Sequence, residues 1–106
     1  MLVVVASLKA KKGNEQEMED LLRWMIPNVD AEVGALVYVL HRSKKDPRIF
    51  LMFEKFRDEN ALSQHTLTQY YRELTKKIGP LLDGKPSIEI YEELASIQEK
   101  TYQPAW

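Results

Sequence analysis

The chain has 106 residues, 44% of them apolar and 29% charged, with 15 Lys and Arg against 16 Asp and Glu for a formal net charge of -1. That is one domain's worth of chain, and the near-neutral balance argues against a nucleic-acid or membrane-surface partner, because phosphate recognition needs concentrated Lys and Arg. No cysteine is present, which excludes disulfides, thiolate chemistry and Cys-based zinc sites and suits an intracellular setting.

The opening run Leu2-Val3-Val4-Val5-Ala6 is too short for a signal-peptide core or a membrane span and has no basic flank. The chain is therefore expected to be soluble and cytoplasmic. β-Branched character continues to Lys9 and stops at Lys11-Lys12-Gly13, predicting a first strand with Val3, Val5 and Ser7 on one face and Val4, Ala6 and Leu8 on the other. Asn14 followed three residues on by Glu17 has the form of a helix N-terminal capping pair. Met18, Leu21, Leu22, Met25, Ile26 and Val29 then recur at helical spacing, with Glu15, Glu19, Asp20 and Arg23 on the wet side. Pro27 is expected to kink or thin the last turns, and Gly34 to end the element in the left-handed conformation.

Ala35 to His41 reads as a second strand. Lys44-Lys45-Asp46-Pro47 then gives a turn into a third strand, Arg48 to Phe56, so the two form a hairpin. Asp58 is placed to cap a short helix through Gln64. A longer helix is predicted from about Thr66 to Ile78, with Leu67, Tyr71, Leu74 and Ile78 on one face and Lys76-Lys77 near its C-terminus, where positive charge suits the dipole. After Gly79-Pro80, Pro86 to Leu94 alternates as a fourth strand. Residues 2–94 make the domain; residues 95–106 are a tail whose Tyr102 and Trp106 have little local structure to bury them.

Strand, helix, strand, strand, helix, strand is the split βαβ, ferredoxin-like α+β arrangement: a four-stranded antiparallel sheet with both helices on one face. The third strand carries Phe50, Met52, Glu54 and Phe56 on one side and Ile49, Leu51, Phe53 and Lys55 on the other. A sheet apolar on both faces needs a second cover. A homodimer, sheet against sheet, is therefore expected, with the tail as a possible arm across the partner.

Within this frame Ile49 to His65 carries the chemistry. Glu54 shares its strand face with Phe50, Met52 and Phe56, and a carboxylate in apolar surroundings is costly unless paired or protonated. Two readings stand side by side: an ion pair with Lys55, Arg57 or Arg72, or a functional acid. His65, at the end of the short helix, either fixes the loop by hydrogen bonding or moves protons, for which imidazole is best suited near neutral pH. Tyr70 and Tyr71 read as core, pocket wall or substrate contacts. His41, beside the basic turn, reads as a surface residue, and Trp24 as a packing contact. Two separated histidines supply no metal site at usual ligand spacing, and the four scattered glycines form no phosphate loop.

The run Phe53-Glu54-x-Phe56-x-Asp58-Glu59-x-Ala61-Leu62-x-x-His65, between an apolar strand and an amphipathic helix, resembles the signature of the antibiotic biosynthesis monooxygenase family of dimeric α+β barrel proteins. The likeness extends in element order and length over roughly residues 2 to 94. It implies a homodimer with an apolar pocket in each subunit between sheet and helices. Its members oxidise phenols or quinols with dioxygen and no cofactor, degrade haem, or process a phosphorylated signalling molecule. The haem-degrading members carry Asn on the first strand, Trp at the position of His65 and a His on the long helix; here those places hold Ser7, His65 and Thr75, which argues against haem. A second histidine common in the monooxygenase-type members is replaced within Tyr70-Tyr71.

What the resemblance implies is a cofactor-independent monooxygenase acting on a small phenolic or quinol substrate. His65 would be the base, Glu54 its orienting partner and Tyr70 or Tyr71 the donor to the oxyanion, with Ser7, Phe50 and Met52 against the substrate. The alternatives are an isomerase or signal-processing enzyme, favouring basic pocket walls such as Arg42, Arg57 or Arg72, and a non-catalytic, stress-associated ligand-binding module.

Overall fold

The computed structural model describes residues 1–105. Four strands, β1 (Leu2–Lys9), β2 (Ala35–Arg42), β3 (Ile49–Phe56) and β4 (Ser87–Glu92), form one antiparallel sheet in the order β2-β3-β1-β4. The two most apolar strands thus occupy the centre, where both edges are paired. Helices α1 (Glu15–Asp30) and α3 (Gln69–Ile78) pack against the sheet, and α2 (Glu59–Thr66) joins β3 to α3. A single 3₁₀ turn, Gly79–Leu81, follows α3.

Alternation along the central strands sorts their residues. Val4, Ala6 and Leu8 of β1 and Phe50, Met52, Glu54 and Phe56 of β3 are buried under the helices, while every intervening residue is half-exposed. Met18, Leu22, Met25 and Val29 of α1, spaced four, three and four apart, join Leu74 and Ile78 of α3 over that face. Each large side chain so buried contributes roughly 1.5–3 kcal/mol of transfer free energy. Outside the core, Trp24 is half-exposed, with Lys77 Nζ 5.8 Å from its ring centroid.

The local predictions differ from the structure in instructive places. Asn14 makes no side-chain cap. Its Nδ2 instead donates weakly to Glu17 at 3.5 Å, and Glu15 accepts from the Gly13 N–H at 2.9 Å, so the acidic first turn satisfies the helix entrance. Helix α1 runs through Pro27 and stops at Asp30, well before Gly34. The positive-φ residues are Gly13 and Gly84; Gly34 is there for space, since a Cβ on it would sit 2.4 Å from the Ala61 Cβ. The helix expected from Thr66 begins at Gln69, because Thr68 breaks the chain: its Oγ1 accepts from the Tyr71 N–H at 3.2 Å and donates to the His65 carbonyl at 2.8 Å. Leu67, placed in that break, is exposed rather than part of the apolar stripe. Asp58 caps α2 as expected, accepting from the Ala61 N–H at 2.9 Å.

A bulge near the start of β2 has the largest consequence for the site. Ala35 pairs with Phe56 and Val37 with Lys55, so Leu36 is an extra residue. Without it Tyr38 would face away from the helices; with it, Tyr38 stands opposite Glu54 on the helix side. On the far face Val3, Val5, Val37, Val39, Leu51 and Phe53 lie with Ser7, His41 and Lys55 and have no layer above them among the described residues. His41 is exposed there, as expected of a surface residue. From Glu93 to Ala105 the tail has no regular structure, and Leu94, Ile97 and Tyr102 are exposed; Trp106 lies outside the described residues. Among the described residues, no helix is long and apolar enough to cross a membrane.

Candidate active site

Strand β3 carries Glu54 into the layer between sheet and helices at 7% exposure, and the last turn of α2 brings His65 above it at 2%. His65 Nε2 and Glu54 Oε1 are 4.0 Å apart. That is too far for a hydrogen bond, yet an oxygen atom seated between them could reach both at about 2.8 Å. Three aromatic rings cage the imidazole: Phe56 at 5.0 Å, Tyr71 at 5.2 Å and Tyr38 at 5.7 Å between centroids.

None of the three expected cation partners reaches Glu54: Lys55 pairs with Glu93 at 2.7 Å, Arg57 with Asp58 at 3.3 Å, and Arg72 lies on an outer recess with Gln69, Glu73 and Lys76. Loss of hydration therefore dominates. Burial pushes the Glu54 carboxyl up to about 7, and the negative charge of Glu32 adds to the rise. Near neutrality the group is poised between acid and carboxylate. The Tyr38 hydroxyl is likewise pushed above its ordinary range by burial and by the Glu54 and Glu32 charges, and that of Tyr71 by burial and Glu54.

Glu32 is the carboxylate at this site that sequence reasoning missed. It sits in the turn between α1 and β2, and its carboxylate reaches His65 Nδ1 at 2.9 and 3.2 Å. The same carboxylate accepts a hydrogen bond from the Tyr70 hydroxyl, whose pKa is pushed up to about 12 by burial and by that bond. The carboxylate hydrogen-bonded to His65 is thus Glu32 rather than Glu54. Glu54 stands on the opposite side of the ring, so the imidazole lies between two carboxyl groups.

The Nε2 side opens on an apolar cavity of about 230 Å³. Val4, Ala6, Met52, Tyr38 and Glu54 form its floor; Leu62, His65, Tyr71, Leu74 and Thr75 form its roof; Ile88 and Ile90 stand at its β4 edge. None of the lining residues is a lysine or arginine. Of the residues nominated from sequence, Glu54, His65, Tyr71 and Met52 come together here. Ser7 does not: it pairs with Leu51 on the other face of the sheet, because odd-numbered β1 residues point away from Val4 and Ala6. Phe50 is fully buried further along β3 beneath Arg42, whose guanidinium carbon is 4.9 Å from the ring centroid. Tyr70 faces Glu32 and does not line the cavity. Arg42, Arg57 and Arg72 all lie elsewhere.

Fold and site together define a ferredoxin-like α+β protein with a carboxyl–imidazole pair at the wall of an apolar cavity. The chain belongs to the antibiotic biosynthesis monooxygenase family, whose model matches residues 1–77. It is 30% identical over 91 residues to the uncharacterized protein sll1783 of Synechocystis, covering 86% of this chain and 62% of that protein. The chain thus spans less than two thirds of that relative's length. Among solved structures, it is similar to PA3566 from Pseudomonas aeruginosa, at 31% identity and a TM-score of 0.83 over 89% of this chain and 94% of that one. A conserved protein from Methanosarcina mazei superposes with a TM-score of 0.84 at 28% identity, covering 88% and 92% of the two chains.

Proposed function

We propose that the protein is a cofactor-independent monooxygenase that oxidises a small phenol or quinol with dioxygen. The observation that carries this reading is the placement of His65 Nε2 and Glu54 Oε1, 4.0 Å apart at the wall of the apolar cavity. His65 Nε2 takes the phenolic proton, and the electron-rich anion meets dioxygen among apolar walls. Glu54 in its protonated form, with the hydroxyls of Tyr38 and Tyr71 nearby, donates to the oxyanion. One oxygen atom of dioxygen enters the ring. The other leaves as water with the two hydrogens the substrate loses, so no external reductant is consumed.

The absence of basic residues from the cavity wall favours this over a phosphorylated substrate, which would need them. The second reading, a ligand-binding module, differs only in lacking turnover. Oxygen uptake with a panel of mono- and bicyclic quinols under air separates the two. The expected result is uptake of one dioxygen per quinol, falling at least about 100-fold in His65→Ala. Full turnover in both His65→Ala and Glu54→Ala would sink the proposal. The working form is a homodimer closed over the open sheet face, with the tail laid across the partner.

A further inference from the structure

The two nitrogens of His65 face different compartments. Nε2 looks into the apolar cavity beside Glu54. Nδ1 is bonded to Glu32, whose carboxylate lines a separate outer recess of about 330 Å³ with Arg57, Asn60, Gln64 and Thr68. The cavity and the recess share no lining residue, and the imidazole, almost wholly buried, lies between them.

We propose that Glu32, held by the Tyr70 hydroxyl, is the positioning residue of His65, fixing its proton on Nδ1 so that the Nε2 lone pair faces the cavity. A carboxylate can only accept, so the nitrogen it touches must carry the hydrogen. A free neutral histidine prefers its proton on Nε2, which would leave no base in the cavity. The Tyr70 O–H occupies one oxygen of Glu32 and sets the plane of the carboxylate. When Nε2 takes a substrate proton, the imidazolium lies against the Glu32 charge. It keeps that proton until an oxygen of the reduced dioxygen takes it back. No net proton crosses to Glu32, and the balance of the oxidation is unchanged. Gly34 serves the same end: its lack of a Cβ lets the turn that carries Glu32 sit against Ala61.

This inference rests on His65 as the base, so one measurement is independent of turnover. Nitrogen-15 NMR of the imidazole in the full chain, above the titration of the ring, is expected to find the Nδ1–H tautomer in the wild type. The Nε2–H tautomer is expected to appear in Glu32→Ala. An Nε2–H wild type, or an unchanged tautomer in Glu32→Ala, overturns the proposal even if quinols are oxidised. Conversely, the expected tautomers without oxygen uptake retain the positioning role and remove the monooxygenase reading. In the kinetic arm, Glu32→Ala is expected to lose about 100-fold in kcat with little change in KM. Added formate, which can enter the outer recess, should restore kcat saturably. Glu32→Gln, whose amide fills the gap, should be impaired but not rescued. Undiminished activity in Glu32→Ala, or loss that formate does not restore while Glu32→Ala keeps the wild-type fold by circular dichroism, would overturn it.

Discussion

Glu54 shows how far a single environment can move a carboxyl group. In the unfolded chain it titrates near its ordinary 4.5, and in the folded chain at about 7, mainly because burial penalises the charge. The folded state therefore holds the proton more tightly. Below about pH 4.5 both states are protonated and nothing is lost; between about pH 4.5 and 7 the unfolded chain releases this proton while the folded chain holds it, so stability falls across that window and levels off above pH 7. At about 1.4 kcal/mol per pH unit, the full cost, reached by pH 8, is about 3 to 4 kcal/mol. Glu54→Gln is expected to match the wild type in urea denaturation at pH 4 and to exceed it by about 3 kcal/mol at pH 8. Parallel stability curves for the two proteins would refute the assignment. A gain in stability with a loss of turnover is the pattern of a residue retained for chemistry.

Glu54 and His65 were legible because each stands out locally: a carboxylate inside the apolar strand Ile49-Phe50-Leu51-Met52-Phe53-Glu54-Lys55-Phe56, and a histidine at the end of a short capped helix. Glu32 does not. An acid in Asp30-Ala31-Glu32-Val33-Gly34 reads as an ordinary wet turn, and it lies 33 residues from its partner. Only chain closure brings them together. The displacement of Ser7 was within reach, since strand alternation already set it opposite Ala6. Tyr38 was not, because Ala35-Leu36-Val37-Tyr38-Val39-Leu40 offers no alternation from which to place a bulge.

Between residues and whole molecule, the elements meet at two tight joints. Thr68 serves both sides of the α2–α3 break, capping one helix while tying down the last turn of the other, which carries His65. The α1–β2 turn is fixed by the Gly34 carbonyl accepting from the Arg57 N–H at 2.9 Å and by its approach to Ala61. A Cβ at 2.4 Å cannot be accommodated without moving one element, so Gly34→Ala is expected to cost about 1–3 kcal/mol. It should also draw Glu32 away from His65. The companion Gly34→Ala/Ala61→Gly restores the space but puts glycine into a helix, at about 1 kcal/mol. Thermal denaturation should therefore find the double variant closer to Ala61→Gly alone than additivity allows. Additive effects would show that the contact is not the constraint. The two-helix layer, the hairpin and the ferredoxin-like order of elements were legible from periodicity and turn residues; these joints were not, because each depends on contacts between segments distant in sequence.

At the scale of the whole molecule the unanswered face of the sheet sets the requirement. Val3, Val5, Val37, Val39, Leu51 and Phe53 make an apolar surface over β2, β3 and β1, interrupted between Val3 and Val37 by Lys55, which is paired with Glu93, whereas β4 contributes Ser87, Glu89 and Tyr91, the last bonded to Glu89. Four strands of up to eight residues span roughly 500 Å² of flat face at ~4.8 Å between strands and ~3.3 Å per residue. Two such faces together come to roughly 1,000 Å², only the lower bound for a stable association. The exposed Leu94, Ile97 and Tyr102 of the tail are the apolar surface available to extend it. The full chain is therefore expected to be dimeric by light scattering at micromolar concentration. Truncation after Glu93 should weaken the dimer without abolishing it. Phe53 is flanked by Val5 and Val39 at the centre of the face, and Phe53→Lys sets a charge there on each copy. It should yield a folded monomer, because the same position looks outward from the core and the buried layer beneath is untouched. A wild-type monomer, or a Phe53→Lys protein still dimeric at the same concentration, would place the association surface elsewhere.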